Sequence, residues 1–185
     1  GFSHIEENVP LCFYSDESGF RMLSDIKAKY DISDEDVLLQ RILLNEPFNV
    51  EGYQVVALRA AHDVHSSPVI YLIEHDGKSF FYSNDTSEYP EESMAYLKAM
   101  QKPIDVISFD CTAACSTINY VGHLSLERCI KLRTTLKEIG AADDHTVFIL
   151  NHFSHNGKNV VYDDFVKIAS EYDFKVSYDG MAIEF

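Results

Sequence analysis

The chain has 185 residues and a formal net charge of −15, from 15 basic and 30 acidic side chains, with hydrophobic residues at 46%. That is enough apolar material for one domain with a real core, and no apolar run approaches the roughly 20 residues of a membrane helix. So acidic a surface repels phosphate backbones, which argues against broad nucleic-acid binding. A small anionic substrate fits only if a metal supplies local positive charge.

The elements follow in chain order. Pro10 to Tyr14 is a short apolar strand, and Ser15 to Gly19 carries loop and helix-start chemistry. Phe20 to Tyr30 has Phe20, Met22, Leu23 and Ile26 at helical spacing. Asp31 to Asp36 reads as loop, and Val37 to Leu44 is ambiguous between helix and strand. A strand runs from the Gly52-Tyr53 step through Leu58. Val69 to Glu74 and Ser79 to Ser83 form a hairpin across the turn His75-Asp76-Gly77-Lys78. Helix Glu91 to Met100 has acid in its first turn, as the helix dipole prefers. Ile104 to Phe109 is a buried strand ending in Asp110, and Cys111 to Gly122 is irregular. Ser125 to Ile139 is the clearest helix, with Leu126, Cys129, Ile130, Leu132, Leu136 and Ile139 on one face and Gly140 as its stop. Strand Thr146 to Leu150, helix Tyr162 to Tyr172 and strands Phe174 to Tyr178 and Met181 to Phe185 complete the chain, the last two joined by Asp179-Gly180. No Gly/Ser/Pro linker divides it, so a single α/β domain is expected, a sheet covered by helices with its chemistry on the loops.

Three apolar strands end in metal-ligating side chains: His62 and His65 after the first, Asp85 after the second, His152 and His155 after the third. Imidazole and carboxylate suit zinc, manganese or iron, and a carboxylate with two oxygens can bridge two metals. Each piece alone has a plainer reading. Asp85-Thr86 can cap a turn, His62 and His65 can be solvated loop residues, and His152-Phe-Ser-His155 can be a polar loop. His123, just ahead of the long helix, can be a simple loop residue, and His4, His75 and His145 read as surface. Cys12, Cys111, Cys115 and Cys129 are few and irregularly spaced, which fits a reduced, cytoplasmic setting. Cys111 and Cys115 lack the second pair a structural zinc site needs.

Taken in order, His62, Tyr71-Leu-Ile-Glu74, Tyr82-Ser-Asn-Asp85-Thr86, Asp105 to Thr112, Gly122-His123, Val147 to His155 and Tyr178 to Glu184 resemble the second half of a metallo-β-lactamase-fold hydrolase. The resemblance covers about Gln54 to Phe185 and is nearest the phosphodiesterase branch, which includes the phosphoribosyl cyclic phosphodiesterase, with transfer-RNA 3′-processing nucleases more distant. It implies an αββα sandwich, of which this chain supplies one mixed sheet with helices on its outer face. It implies two divalent metals, zinc or manganese, with His62 (or its rival His65) on the first, Asp85 as the bridge and His155 on the second. It gives His123 the task of donating a proton or holding substrate phosphate. The implied reaction is hydrolysis of a small phosphodiester; a thioester or lactone hydrolase, or an inactive binding module, are the alternatives on the same fold.

The family's His-x-His-x-Asp-His signature is absent from the chain, and Gly1-Phe2-Ser3 resembles the segment that follows it. The expectation is therefore a C-terminal portion without the first half of the sandwich. Metal binding by such a chain would be weak or incomplete. Its uncovered sheet face would pair with the N-terminal portion or with a second copy.

Overall fold

The computed structural model describes residues 9–116, 121–154 and 160–185. It divides into two compact units, Gly1–Glu46 and Pro47–Phe185. In the first unit, β1 (Leu11–Ser15), α1 (Glu17–Tyr30) and β2 (Val37–Arg41) form a parallel two-stranded βαβ unit. The helix starts three residues earlier than its apolar spacing indicates because Asp16 caps it, its carboxylate accepting the Gly19 N–H at 3.0 Å. Val37 onward, ambiguous by sequence, is a strand.

The second unit is a seven-stranded mixed sheet in the order β3-β4-β5-β6-β7-β8-β9. Its antiparallel part is β3 (Pro47–Val50), β4 (Tyr53–Arg59), β5 (Val69–His75) and β6 (Lys78–Ser83). The β5–β6 link is the expected two-residue turn, with positive φ at both Asp76 and Gly77, as the right-handed strand twist favours. Strand β3 has no counterpart in the sequence reading; four residues opened by proline give too short a pattern. The parallel part adds β7 (Val106–Asp110), β8 (Val147–Asn151) and β9 (Lys175–Val176), linked by α2 (Glu91–Ala99), α3 (Leu126–Glu138) and α4 (Tyr162–Ser170). The strand expected at Met181 to Phe185 does not form. The Met181 N–H closes a turn on the Tyr178 carbonyl at 3.0 Å, but Met181, Ile183 and Phe185 then line a cleft beside Phe80, Val106 and Ile149 instead of pairing at the sheet edge.

Strand alternation sorts the sheet into two faces. Leu72, Phe81, Ile107, Phe109, Phe148 and Leu150 join Leu97, Leu132, Leu136 and Phe165 of the helices in one core. The other face, carrying Phe80, Val106, Ser108 and Ile149, opens on that cleft of about 720 Å³. No helix among the described residues is long and apolar enough to cross a membrane.

Strands β4, β6, β7 and β8 all point the same way, since two antiparallel steps restore the direction of β4 and the remaining pairings are parallel. Their C-terminal ends therefore share one edge of the sheet. Asp110 closes β7 at this edge and the loops that leave it carry His62, Asp85 and His152, the usual place for a ligand site in a sheet of this kind.

Candidate metal centre

Each strand end at this edge is pinned before it delivers its side chain. At the end of β6, buried Ser83 donates its hydroxyl proton to the Ser108 carbonyl at 2.6 Å, which leaves its oxygen to accept the Tyr89 hydroxyl at 2.7 Å. Three residues on, the buried Thr86 hydroxyl oxygen accepts the Ala61 N–H at 3.0 Å, and the Ser87 N–H and hydroxyl both reach the Ala61 carbonyl. The sequence reading allowed Thr86 only a capping task. It instead ties the loop that carries His62 to the loop that carries Asp85.

Asp85, Asp110, His123 and His152 each bring one ligand-type atom to within 4.8 Å of the others. Their environments assign them different work. Asp110 is fully buried, and its oxygens are committed: Oδ1 accepts the Thr112 N–H at 2.9 Å and the Leu124 N–H at 3.3 Å, and Oδ2 accepts His123 Nδ1–H at 2.8 Å. It is an orienting carboxylate. Asp85 is about half exposed, and His152 Nε2 lies 3.3 Å from its Oδ1. His62 Nε2 lies 3.8 Å from the same oxygen, and its Nδ1 donates to the Gly122 carbonyl at 3.2 Å. The rings of His62 and His123 meet edge to face at 4.8 Å, and those of His123 and His152 stack at 5.6 Å between centroids.

The protons follow from these partners. The Thr112 oxygen lies 2.8 Å from both the His152 carbonyl and His152 Nδ1; with its one proton on the carbonyl, the ring donates to it from Nδ1. In that arrangement all three neutral imidazoles hold their proton on Nδ1 and leave the Nε2 lone pairs unprotonated. In His62 and His152 these lone pairs point at a carboxylate oxygen. Two such acceptors repel unless a cation lies between them. Ligand atoms about 2.0–2.1 Å from a tetrahedral zinc sit about 3.3–3.4 Å apart, the His152–Asp85 spacing. The donor set, the protonation pattern and this distance suit a divalent metal.

Further support comes from α3. Arg128 grips the Glu88 carboxylate with two nitrogens and donates to the His123 carbonyl at 2.5 Å. This hydrogen-bonded guanidinium holds the Glu88 carboxyl below its ordinary value. One arginine therefore fixes both the loop after Asp85 and the segment bearing His123. Behind Asp110, Cys129 donates its thiol to the Asp110 carbonyl at 3.2 Å, and burial, with Cys111 adjacent, pushes that thiol well up. Cys111 is buried and Cys115 exposed, and neither is among the clustered groups.

Of the residues the sequence singles out, the structure brings His62, Asp85 and His123 together. His65 is exposed on its loop, with its backbone N–H on Asp63 Oδ1 at 3.0 Å. His155 lies outside the described residues, and the histidine beside Asp85 is the first of the His-x-x-His pair, His152. Asp110 carried a legible signal, an acid closing a buried strand as Asp85 nearly does. Thr112 and Gly122 stand only inside the segments that carry the resemblance, with no role of their own, since both act through backbone and tautomer.

The Beta-lactamase superfamily domain model matches residues 7–153. Among curated proteins none matches the sequence. Solved structures do. The metallo-beta-lactamase fold protein YhfI from Bacillus subtilis aligns with a TM-score of 0.69 at 13% identity, over 99% of this chain and 69% of its own. Zn(2+)-bound PqqB from Methylobacterium extorquens aligns at 0.66 and 19%, over 97% of this chain and 66% of its own. The short form of human tRNase Z aligns at 0.60 and 14%, over 95% and 66%. At these identities the likeness shows the fold, and the chain spans about two thirds of each of these relatives. With its mixed sheet, its outer helices and a histidine–aspartate cluster at the strand ends, the chain belongs to the beta-lactamase superfamily, in the metallo-beta-lactamase fold of metal-dependent hydrolases.

Proposed function

We propose that the intact protein is a metal-dependent phosphodiesterase acting on a small phosphodiester, in which Asp85, His62 and His152 would hold two divalent metals, zinc or manganese, Asp85 as the shared carboxylate. The resemblance gave the second imidazole as His155; the 3.3 Å approach of His152 to Asp85 favours His152. The carrying observation is that two Nε2 lone pairs, each with its Nδ1 already hydrogen bonded, face one oxygen of a strand-end carboxylate. When bound, the metals supply Lewis acidity and lower the pKa of water. His123 completes the machinery: Asp110 holds its Nδ1–H, so the proton it gives or takes is at Nε2, and the buried carboxylate balances the charge when both nitrogens are protonated. A surface of net charge −15 favours a small substrate over a long polyanion.

The protein titrated with Zn²⁺ or Mn²⁺ is assayed against bis(4-nitrophenyl) phosphate, a thioester and a lactone. Metal-dependent phosphodiester hydrolysis, lost with chelator and with Asp85→Ala, is the expected result. Hydrolysis confined to the thioester or lactone would overturn the phosphodiesterase reading. Metal binding with no turnover of any of them would favour an inactive module.

A further inference from the structure

We infer that Thr112 is a positioning residue that sets the tautomer of His152, and helps set that of His123, so that both present an unprotonated Nε2. The inference rests on the reading of His152 as a ligand and His123 as the proton carrier. Thr112 stands two residues beyond the end of β7, and the loop after β8 wraps onto it. The Cys111 N–H reaches the Asn151 carbonyl at 2.8 Å, and the Ser154 N–H reaches the Thr112 carbonyl at 3.3 Å. Between these two bonds lies His152, in left-handed backbone at φ 62°. The Thr112 hydroxyl contacts this residue twice, at its carbonyl and at its ring Nδ1, both at 2.8 Å. It lies 3.1 Å from His123 Nδ1, which shares its proton with Asp110 Oδ2.

A hydroxyl has one proton and two lone pairs. With the proton spent on the His152 carbonyl, each ring can meet this oxygen only as a donor. Without the oxygen, His152 loses its Nδ1 acceptor at 2.8 Å, and Asp110 Oδ2, at 3.5 Å, is a poor replacement. The alternative tautomer would place the proton on Nε2, facing Asp85 Oδ1 at 3.3 Å. That proton would occupy the space between the two ligand atoms. Partners of this kind behind a ligating histidine are worth typically about 10–100-fold in metal affinity.

The test uses nitrogen-15 correlation spectra of the histidine side chains in the metal-free protein at a pH where the rings are neutral. Wild type and Thr112→Ser should show His152 and His123 protonated on Nδ1, against the ordinary solution preference for Nε2. Thr112→Val should move His152 to the Nε2–H form and lower Zn²⁺ affinity about 10–100-fold by calorimetry, with Thr112→Ser close to wild type. A wild-type His152 protonated on Nε2 overturns the inference, and so does a Thr112→Val spectrum unchanged from wild type. If the valine variant fails to fold, the wild-type and serine spectra still decide. Neither spectrum depends on turnover, so the substrate reading can fail while this one stands.

Discussion

Gly122 is the position where a single methyl group should do most harm to the centre. Its φ is +84°, and a Cβ built there would lie 2.6 Å from His62 Nδ1, 2.8 Å from the His62 carbonyl oxygen and 3.1 Å from its Cα. Two of those three atoms are backbone, so rotating the imidazole cannot relieve the clash. Gly140, just past α3, is the matched control: φ is +78° and nothing lies within 4 Å of its Cβ position. Gly140→Ala should cost only the left-handed strain, about 1–2 kcal/mol. Gly122→Ala adds overpacking of about 1–3 kcal/mol and the His62–Gly122 hydrogen bond, about 1 kcal/mol. The gap between the variants is then about 2–4 kcal/mol, or about 4–16 °C in Tm for a chain of this size. Urea and thermal unfolding of both variants measure it. Gly122→Ala should also weaken Zn²⁺ binding, because the methyl displaces the ring whose Nε2 faces Asp85, while Gly140→Ala should not. Equal stability losses in the two variants would refute the close approach of the two loops, and unaltered metal binding would remove His62 from the centre.

In the full-length enzyme, His123→Ala should lower phosphodiester turnover by about 100- to 10,000-fold while metal content stays intact, whereas Asp85→Ala should lose metal. A substrate with a poor leaving group should suffer more than a nitrophenyl ester; equal losses would mean that His123 holds phosphate instead of donating a proton. Glu88 titrates below its ordinary 4.5 because of Arg128, so its stabilisation is fully present above 4.5 and fades as pH falls through the lowered folded value. Its side chain is 60% exposed, which limits the contribution to about 1 kcal/mol or less. The stability difference between wild type and Glu88→Gln should therefore be small at neutral pH and close in acid, and a difference that widens on acidification would contradict the Arg128 clamp.

Much of the frame was legible because burial writes periodicity into sequence. Helix α3 runs Leu126–Glu138, with Ser125 and Ile139 as its caps, inside the span that its apolar face and Gly140 predict. The β5–β6 hairpin was visible in the Asp-Gly turn, and Asp85 in the polar break after Phe80-Phe81-Tyr82. What was not legible depends on partners remote in sequence. His152 and His155 are chemically alike and three residues apart; contacts with Thr112, 40 residues earlier, and with Asp85 put His152 at the centre, and His155 lies outside the described residues. Asp110 looks like a second candidate bridge until its oxygens are found committed to Thr112, His123 and Leu124. The C-terminal hairpin misled for a related reason: alternation at Met181, Ile183 and Phe185 reports a buried side, and a sheet face can bury it as well as a neighbouring strand.

Backbone strain points to the same centre. Asp85 and His152 have φ of 50° and 62°, in the region that costs a non-glycine residue on the order of 1–3 kcal/mol. Asp31, Asn45, Glu51, Asp76, Gln101, Ala114 and Asp173 share that conformation, Asp31 and Asp76 at a helix end and a hairpin turn, where it serves the chain's path. Asp85 and His152 instead follow β6 and β8, within two residues of their ends, and bring Oδ1 and Nε2 to 3.3 Å. A chain selected for stability alone would place glycine or asparagine at such positions. Here both strained residues carry ligand-type side chains, both face the same space, and the ring of one has its far nitrogen already bonded. Strain and lone-pair repulsion both lower the stability of the metal-free chain. A divalent cation between Asp85 and His152 would relieve the repulsion, so its binding should raise Tm in wild type and leave Asp85→Ala unmoved.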